Sequence, residues 1–131
     1  MKKLIIAIDF DGVIAEVNPC WTTGPNVPGK LVEGADVYIR KLYEEGHQII
    51  IWTCRGGYNL HLAEQFLQDH NIPFHRINDN AEGHYERFKH NTRKVHADVY
   101  IDDKQIGGIP SWPEMYEIIE KELTENGYIH Y

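Results

Sequence analysis

Ile5-Ile6-Ala7-Ile8-Asp9-Phe10-Asp11-Gly12-Val13 joins an apolar run to two carboxylates one residue apart and then to a glycine. Four apolar residues in succession, without polar alternation, suit a strand covered on both faces, as in a parallel sheet packed between helices. Gly12 lets the chain turn sharply after it. Ligands bind beyond the carboxyl ends of such strands, so Asp9 and Asp11 are expected at the mouth of a site. Taken alone, an Asp pair is more commonly a solvated loop feature, and the rest of the chain has to decide.

The same pattern recurs. A turn-rich stretch from Ala15 to Glu33, with Asn18, Pro19, Gly24, Pro25, Asn26, Pro28 and Gly29, reads as a long loop. Loops of that length in a compact domain are functional or disordered, and its place after the acid pair suits a flap over the site. Trp21 either faces a substrate or pins this loop to the body. A helix is predicted over 35–45, with Val37, Ile39 and Leu42 inward and Gly46 as its stop. Strand two, 48–52, runs into Thr53-Cys54-Arg55-Gly56-Gly57. A helix over 59–69 carries Leu62, Phe66 and Leu67, a short strand covers 74–77, and the polar stretch 81–96 has no clear assignment. Strand four, 98–101, ends in Asp102-Asp103. Ser111 and Glu114 then form a capping box around Pro113, opening a last helix with Met115, Ile118, Ile119 and Leu123 on its apolar face and Asn126-Gly127 at its end.

Alternating strands and helices imply an α/β, Rossmann-like three-layer fold, a central parallel sheet flanked by helices, with residues 1–131 as one domain. All strands then end at one edge. That edge gathers Asp9, Asp11, Thr53, Arg55, Asp102 and Asp103. Four carboxylates together call for a cation, and a hard oxygen-liganded divalent ion, Mg²⁺, is the economical choice. Zinc fits poorly without histidine or thiolate beside it. A carboxylate facing a phosphate dianion meets repulsion of roughly 8 kcal/mol at 4 Å and an effective dielectric near 20. The metal and a lysine, Lys94 or Lys89, would offset it.

Composition narrows the partners. The formal charge of −7 argues against generic attraction to nucleic acid or an anionic membrane, although Arg76, Arg87, Lys89, Arg93 and Lys94 can form a local basic patch. Cys20 and Cys54 lack metal-ligand spacing, and Cys54 reads as a small buried residue. The eight histidines are scattered and read as surface or satisfied structural groups. No secretory or membrane-spanning segment is recognised, so a cytoplasmic location is expected.

These motifs resemble the haloacid dehalogenase superfamily of phosphohydrolases over most of the chain. Asp9-Phe10-Asp11-Gly12-Val13 matches its first motif, Thr53 its second, Lys94 its third at a shorter interval than usual, and Asp102-Asp103 its fourth. The resemblance implies that Asp9 is the nucleophile and Asp11 the acid and base. It implies a metal held by Asp9, the Asp11 carbonyl and Asp102, with Asp103 acting through water or on the lysine, and phosphate bound by Thr53 and Lys94, with Arg55 adding a substrate contact. Neither inter-motif gap has room for a cap domain. Capless relatives have open sites serving macromolecules, or covered by another subunit. The expected substrate is therefore a phosphorylated small molecule or a macromolecular end, with nucleic acid disfavoured by net charge and an oligomer compatible. The competing readings are a receiver-like signalling domain and a phospholigand-binding module without turnover.

Overall fold

The computed structural model describes residues 2–18 and 24–121. Cys20, Trp21, Leu123, Asn126 and Gly127 lie outside them. Eight elements follow in the order β1 (Ile5–Ile8), α1 (Ala35–Glu44), β2 (Gln48–Ile51), α2 (Gly57–Asp69), β3 (Arg76–Ile77), α3 (His84–Phe88), β4 (Val99–Ile101) and α4 (Trp112–Ile118). The four strands form one parallel sheet in the order β3-β2-β1-β4. No cap domain interrupts the described residues.

Right-handed crossovers explain the layering. The chain steps outward from β1 through β2 to β3, which keeps α1 and α2 on one face. It must then return across the sheet to place β4 beside β1, and the 78–98 connection does so over the other face. The packing agrees. Ile6, Ile8, Ile49 and Ile51 share one core cluster with Ile39 and Leu42 of α1, Leu67 of α2 and Met115 of α4. Ala7 and Ile50, pointing the opposite way, meet Val95 and Ala97 of the returning connection.

Several local expectations change. Val37 is exposed, and Ala35, Ile39 and Leu42 form the buried stripe of α1. β3 shrinks to two residues, because the N–H of Ile49 donates to Nδ1 of His75 rather than to a strand carbonyl. Cys54 is exposed, not buried, since the chain has left the sheet after Ile51. The Ser111–Glu114 capping box is present. It orients Trp112, a buried residue whose Nε1 donates to the carbonyl of Val13 at 2.9 Å, tying α4 to the loop that follows the acid pair.

Candidate active site

Asp9 continues the β1 ladder, its N–H donating to the Ile101 carbonyl at 2.9 Å. Phe10 turns inward, fully buried and edge-on to Phe66 at 5.5 Å, so Asp9 and Asp11 face outward on either side of it. The chain then folds back tightly. The N–H of Ile14 donates to the Phe10 carbonyl at 2.9 Å and that of Gly12 to the Ala15 carbonyl at 2.8 Å. Gly12 is needed twice: its φ is +81°, and a Cβ there would lie 2.2 Å from Oδ2 of Asp103. The backbone of the first acid pair thus leaves the space that the second pair occupies.

Carboxylate oxygens of Asp9, Asp102 and Asp103 lie within 4.8 Å of one another. Burial pushes the Asp9 carboxyl up to about 7, reinforced by the Asp103 carboxyl beside it and by the charges of Asp102 and Asp103, against a hydrogen bond from the Phe10 N–H. Such a group favours a positive partner. Three oxygen donors converging from two strand ends fit a hard divalent cation.

Asp11 stands apart from that cluster in a side-on ion pair. Nε and Nη2 of Arg55 donate to its two oxygens, each at 2.9 Å. Arg55 is buried, its guanidinium 5.1 Å from the Phe10 ring centroid, and Nη1 donates to the carbonyls of Asn26 and Asn59. The expected substrate contact is therefore a strut joining the acid pair, the loop after β1 and the start of α2. That loop is braced again where the Asn26 N–H donates to Oδ1 of Asn59.

Thr53 sits at the end of β2, its Oγ1 accepting the Arg55 N–H at 3.1 Å. Asn78, at φ +52°, accepts the Thr53 N–H and donates to the Thr53 carbonyl, both at 2.8 Å. Its side chain replaces a strand in holding Thr53. Asn78 follows directly on the short third strand, and an Asn able to adopt positive φ at that point is the signal in the sequence that could have found it.

Neither candidate lysine touches the acidic cluster. Nζ of Lys94 lies 5.1 Å from the Tyr100 ring centroid, and among the described residues no ion pair joins Lys94 or Lys89 to a carboxylate.

A second acidic group lies at the opposite end of the sheet. Glu45 ends α1, His47 precedes β2 and Glu120 follows α4, with one side-chain ligand atom of each within 4.8 Å of the others. Nδ1 of the buried His47 accepts the Leu4 N–H at 3.1 Å. Nε2 faces Oε1 of Glu120 at 3.7 Å, and the Tyr116 hydroxyl donates to Glu45 at 2.9 Å.

Among the described residues, no helix is long and apolar enough to cross a membrane. Comparison with solved structures finds a conserved protein from Bacteroides thetaiotaomicron that is 30% identical, with a TM-score of 0.78 over 98% of this chain and 100% of the other. No protein-family model and no curated protein matches the chain.

Proposed function

We propose, from the site itself, that this chain, which belongs to the same family as that conserved Bacteroides protein, is a Mg²⁺-dependent phosphatase of the haloacid dehalogenase type. The observation that carries this reading is the convergence of Asp9, Asp102 and Asp103 within 4.8 Å, beside an Asp11 fixed by Arg55. A bound Mg²⁺, held by Asp9, Asp102, Asp103 and the Asp11 carbonyl, would supply positive charge against the phosphoryl oxygens.

Asp9 attacks phosphorus, forming an aspartyl-phosphate as the bond to the leaving oxygen breaks. Asp11 enters the step as its carboxylic acid, one oxygen freed from Arg55, and delivers that proton to the leaving oxygen; as the carboxylate it then takes a proton from the water that attacks the phosphoryl group and releases Asp9. Thr53 supports the phosphoryl oxygens by donating its hydroxyl hydrogen, while one lone pair of Oγ1 accepts the Arg55 N–H. Arg55 orients Asp11, and Lys94 supplies a cation on the approach. Among the described residues no cap domain covers the mouth, which suits a large substrate.

The test is release of inorganic phosphate from p-nitrophenyl phosphate, sugar phosphates, nucleotides and phosphorylated oligonucleotides, with Mg²⁺ or EDTA. Asp9→Asn should abolish metal-dependent release while the protein stays folded. Full activity in the purified variant would remove the nucleophile assignment. Metal binding without release from any ester would favour a phospholigand-binding module instead.

A further inference from the structure

The returning connection over the second face of the sheet is unlike the rest of the chain. Residues 84–96 hold Arg87, Lys89, Arg93 and Lys94 against one acid, Glu86, a local +3 in a chain of −7, together with three of its eight histidines. Asn80, itself buried, holds the segment in place: Nδ2 donates to Oδ1 of Asn91 at 2.9 Å and Oδ1 accepts the His96 N–H at 2.7 Å. A long polar stretch so fixed is built to present something.

It presents rings and cations. An open depression of about 510 Å³ is lined by His84, Phe88, His90, Lys94, His96 and Tyr100 among others. Phe88 is 46% exposed and Tyr100 39%. The Tyr100 hydroxyl donates to the Val95 carbonyl at 2.6 Å and accepts the Ala97 N–H at 3.2 Å, so that ring is fixed. Arg87 and Lys94 lie over the Phe88 and Tyr100 rings, each at 5.1 Å. Tyr100 is two residues before Asp102, about 7 Å along the strand, and the i, i+2 spacing gives both the same face.

We infer that this depression binds the unpaired bases and backbone of a single-stranded polynucleotide whose terminal phosphate enters the Asp9 site, an assignment of substrate class that rests on the phosphatase reading. Exposed rings interleaved with Lys and Arg are what sequence-tolerant binding of single strands requires, because every base has a face to stack and every linkage a charge. A phosphosugar has no planar group to offer Phe88 and Tyr100. An acidic phosphopeptide would use the cations and leave the rings idle. Net charge sets the long-range repulsion, whereas the local +3 acts within a Debye length of about 8 Å at physiological salt, where contact is made.

Fluorescence anisotropy with labelled single strands bearing a 3′- or 5′-phosphate tests this, in the Asp9→Asn protein so that binding is read apart from turnover. Phe88→Ala, at an exposed position, should weaken binding on the order of tenfold with an unchanged melting temperature. Lys94→Ala should lower the slope of log K against log salt by about 0.7. Single strands that fail to bind, or bind equally well to both variants, overturn the proposal, as does equal affinity for a duplex or an acidic phosphopeptide. Small esters hydrolysed without any strand binding would sink this inference alone. Strand binding by a protein that releases no phosphate would sink the hydrolase and with it the role given to the strand's end.

Discussion

The acidic groups at the two ends of the sheet satisfy the same distance, with ligand atoms within 4.8 Å in each, yet they are different objects. Asp9, Asp102 and Asp103 point oxygens at one another with no hydrogen among them unless one carboxyl is protonated. In the Glu45–His47–Glu120 group the hydrogens are already there. Because Nδ1 of His47 accepts from the Leu4 N–H, the ring hydrogen of neutral His47 sits on Nε2, facing Glu120. A metal on Nε2 would push that hydrogen to Nδ1, against the Leu4 N–H. Tyr116 supplies a second hydrogen, to Glu45. The same proximity of ligand atoms therefore gives a candidate ion site at the Asp9 end and, at the His47 end, a proton-bearing polar contact among α1, β2 and α4. The sorting criterion is where the protons are.

The largest expected effect that would break this contrast is on metal binding. Mg²⁺ at a hundredfold excess over its dissociation constant should stabilise the folded protein by about 2.7 kcal/mol. Asp102→Asn or Asp103→Asn should erase most of the resulting rise in melting temperature, and Glu120→Gln should leave it intact. A Glu120 variant that loses the Mg²⁺ response would invert the assignment of the two ends.

Gly12→Ala comes next. Left-handed backbone costs a non-glycine residue about 1–2 kcal/mol, and the added methyl would overlap the Asp103 carboxylate. The variant should melt lower and bind Mg²⁺ more weakly than the strain alone explains. Unchanged Mg²⁺ affinity would mean that Asp103 can move without consequence.

The parts of this site legible in the sequence are those carried by regular strands. Ile5–Ile8 and Gln48–Ile51 announce buried parallel strands by composition, and the acids and Thr53 follow at their ends by chain direction alone. What was illegible depends on side chains reaching across the fold. Arg55 bonds to Asp11, Asn26 and Asn59, and the first two, 44 and 29 residues away, are reached only through the folded course of the sheet and of the loop after β1. Asn78 holds Thr53 by imitating a backbone, a role with no periodic signature. Val37 was misassigned because α1 buries a stripe at Ala35, Ile39 and Leu42, and a four-residue spacing leaves Val37 on the flank.

The smallest effects, and the ones that sharpen the contrast most, are opposite pH dependences. At the lower end, burial holds His47 below its ordinary 6.5, as it does His75, whose Nδ1 likewise accepts a strand N–H, from Ile49. The unfolded chain then binds the extra protons, so this stability is fully present above about pH 6.5 and is lost as pH falls toward the folded-state values, by at most about 1.4 kcal/mol per pH unit for each histidine. At the upper end, metal-free Asp9 is raised from 3.8 to about 7. There the folded protein holds the extra proton, so the contribution is present below pH 3.8 and is lost as pH rises to about 7. Denaturant melts between pH 5 and 8 separate the two. His47→Gln should flatten the acid limb with or without Mg²⁺. Asp9→Asn should remove the Asp9 contribution in EDTA, and saturating Mg²⁺ should remove it from the unaltered protein by taking the proton's place. Should Mg²⁺ leave that dependence unchanged, the ion binds somewhere other than Asp9, and the upper cluster is as proton-filled as the lower.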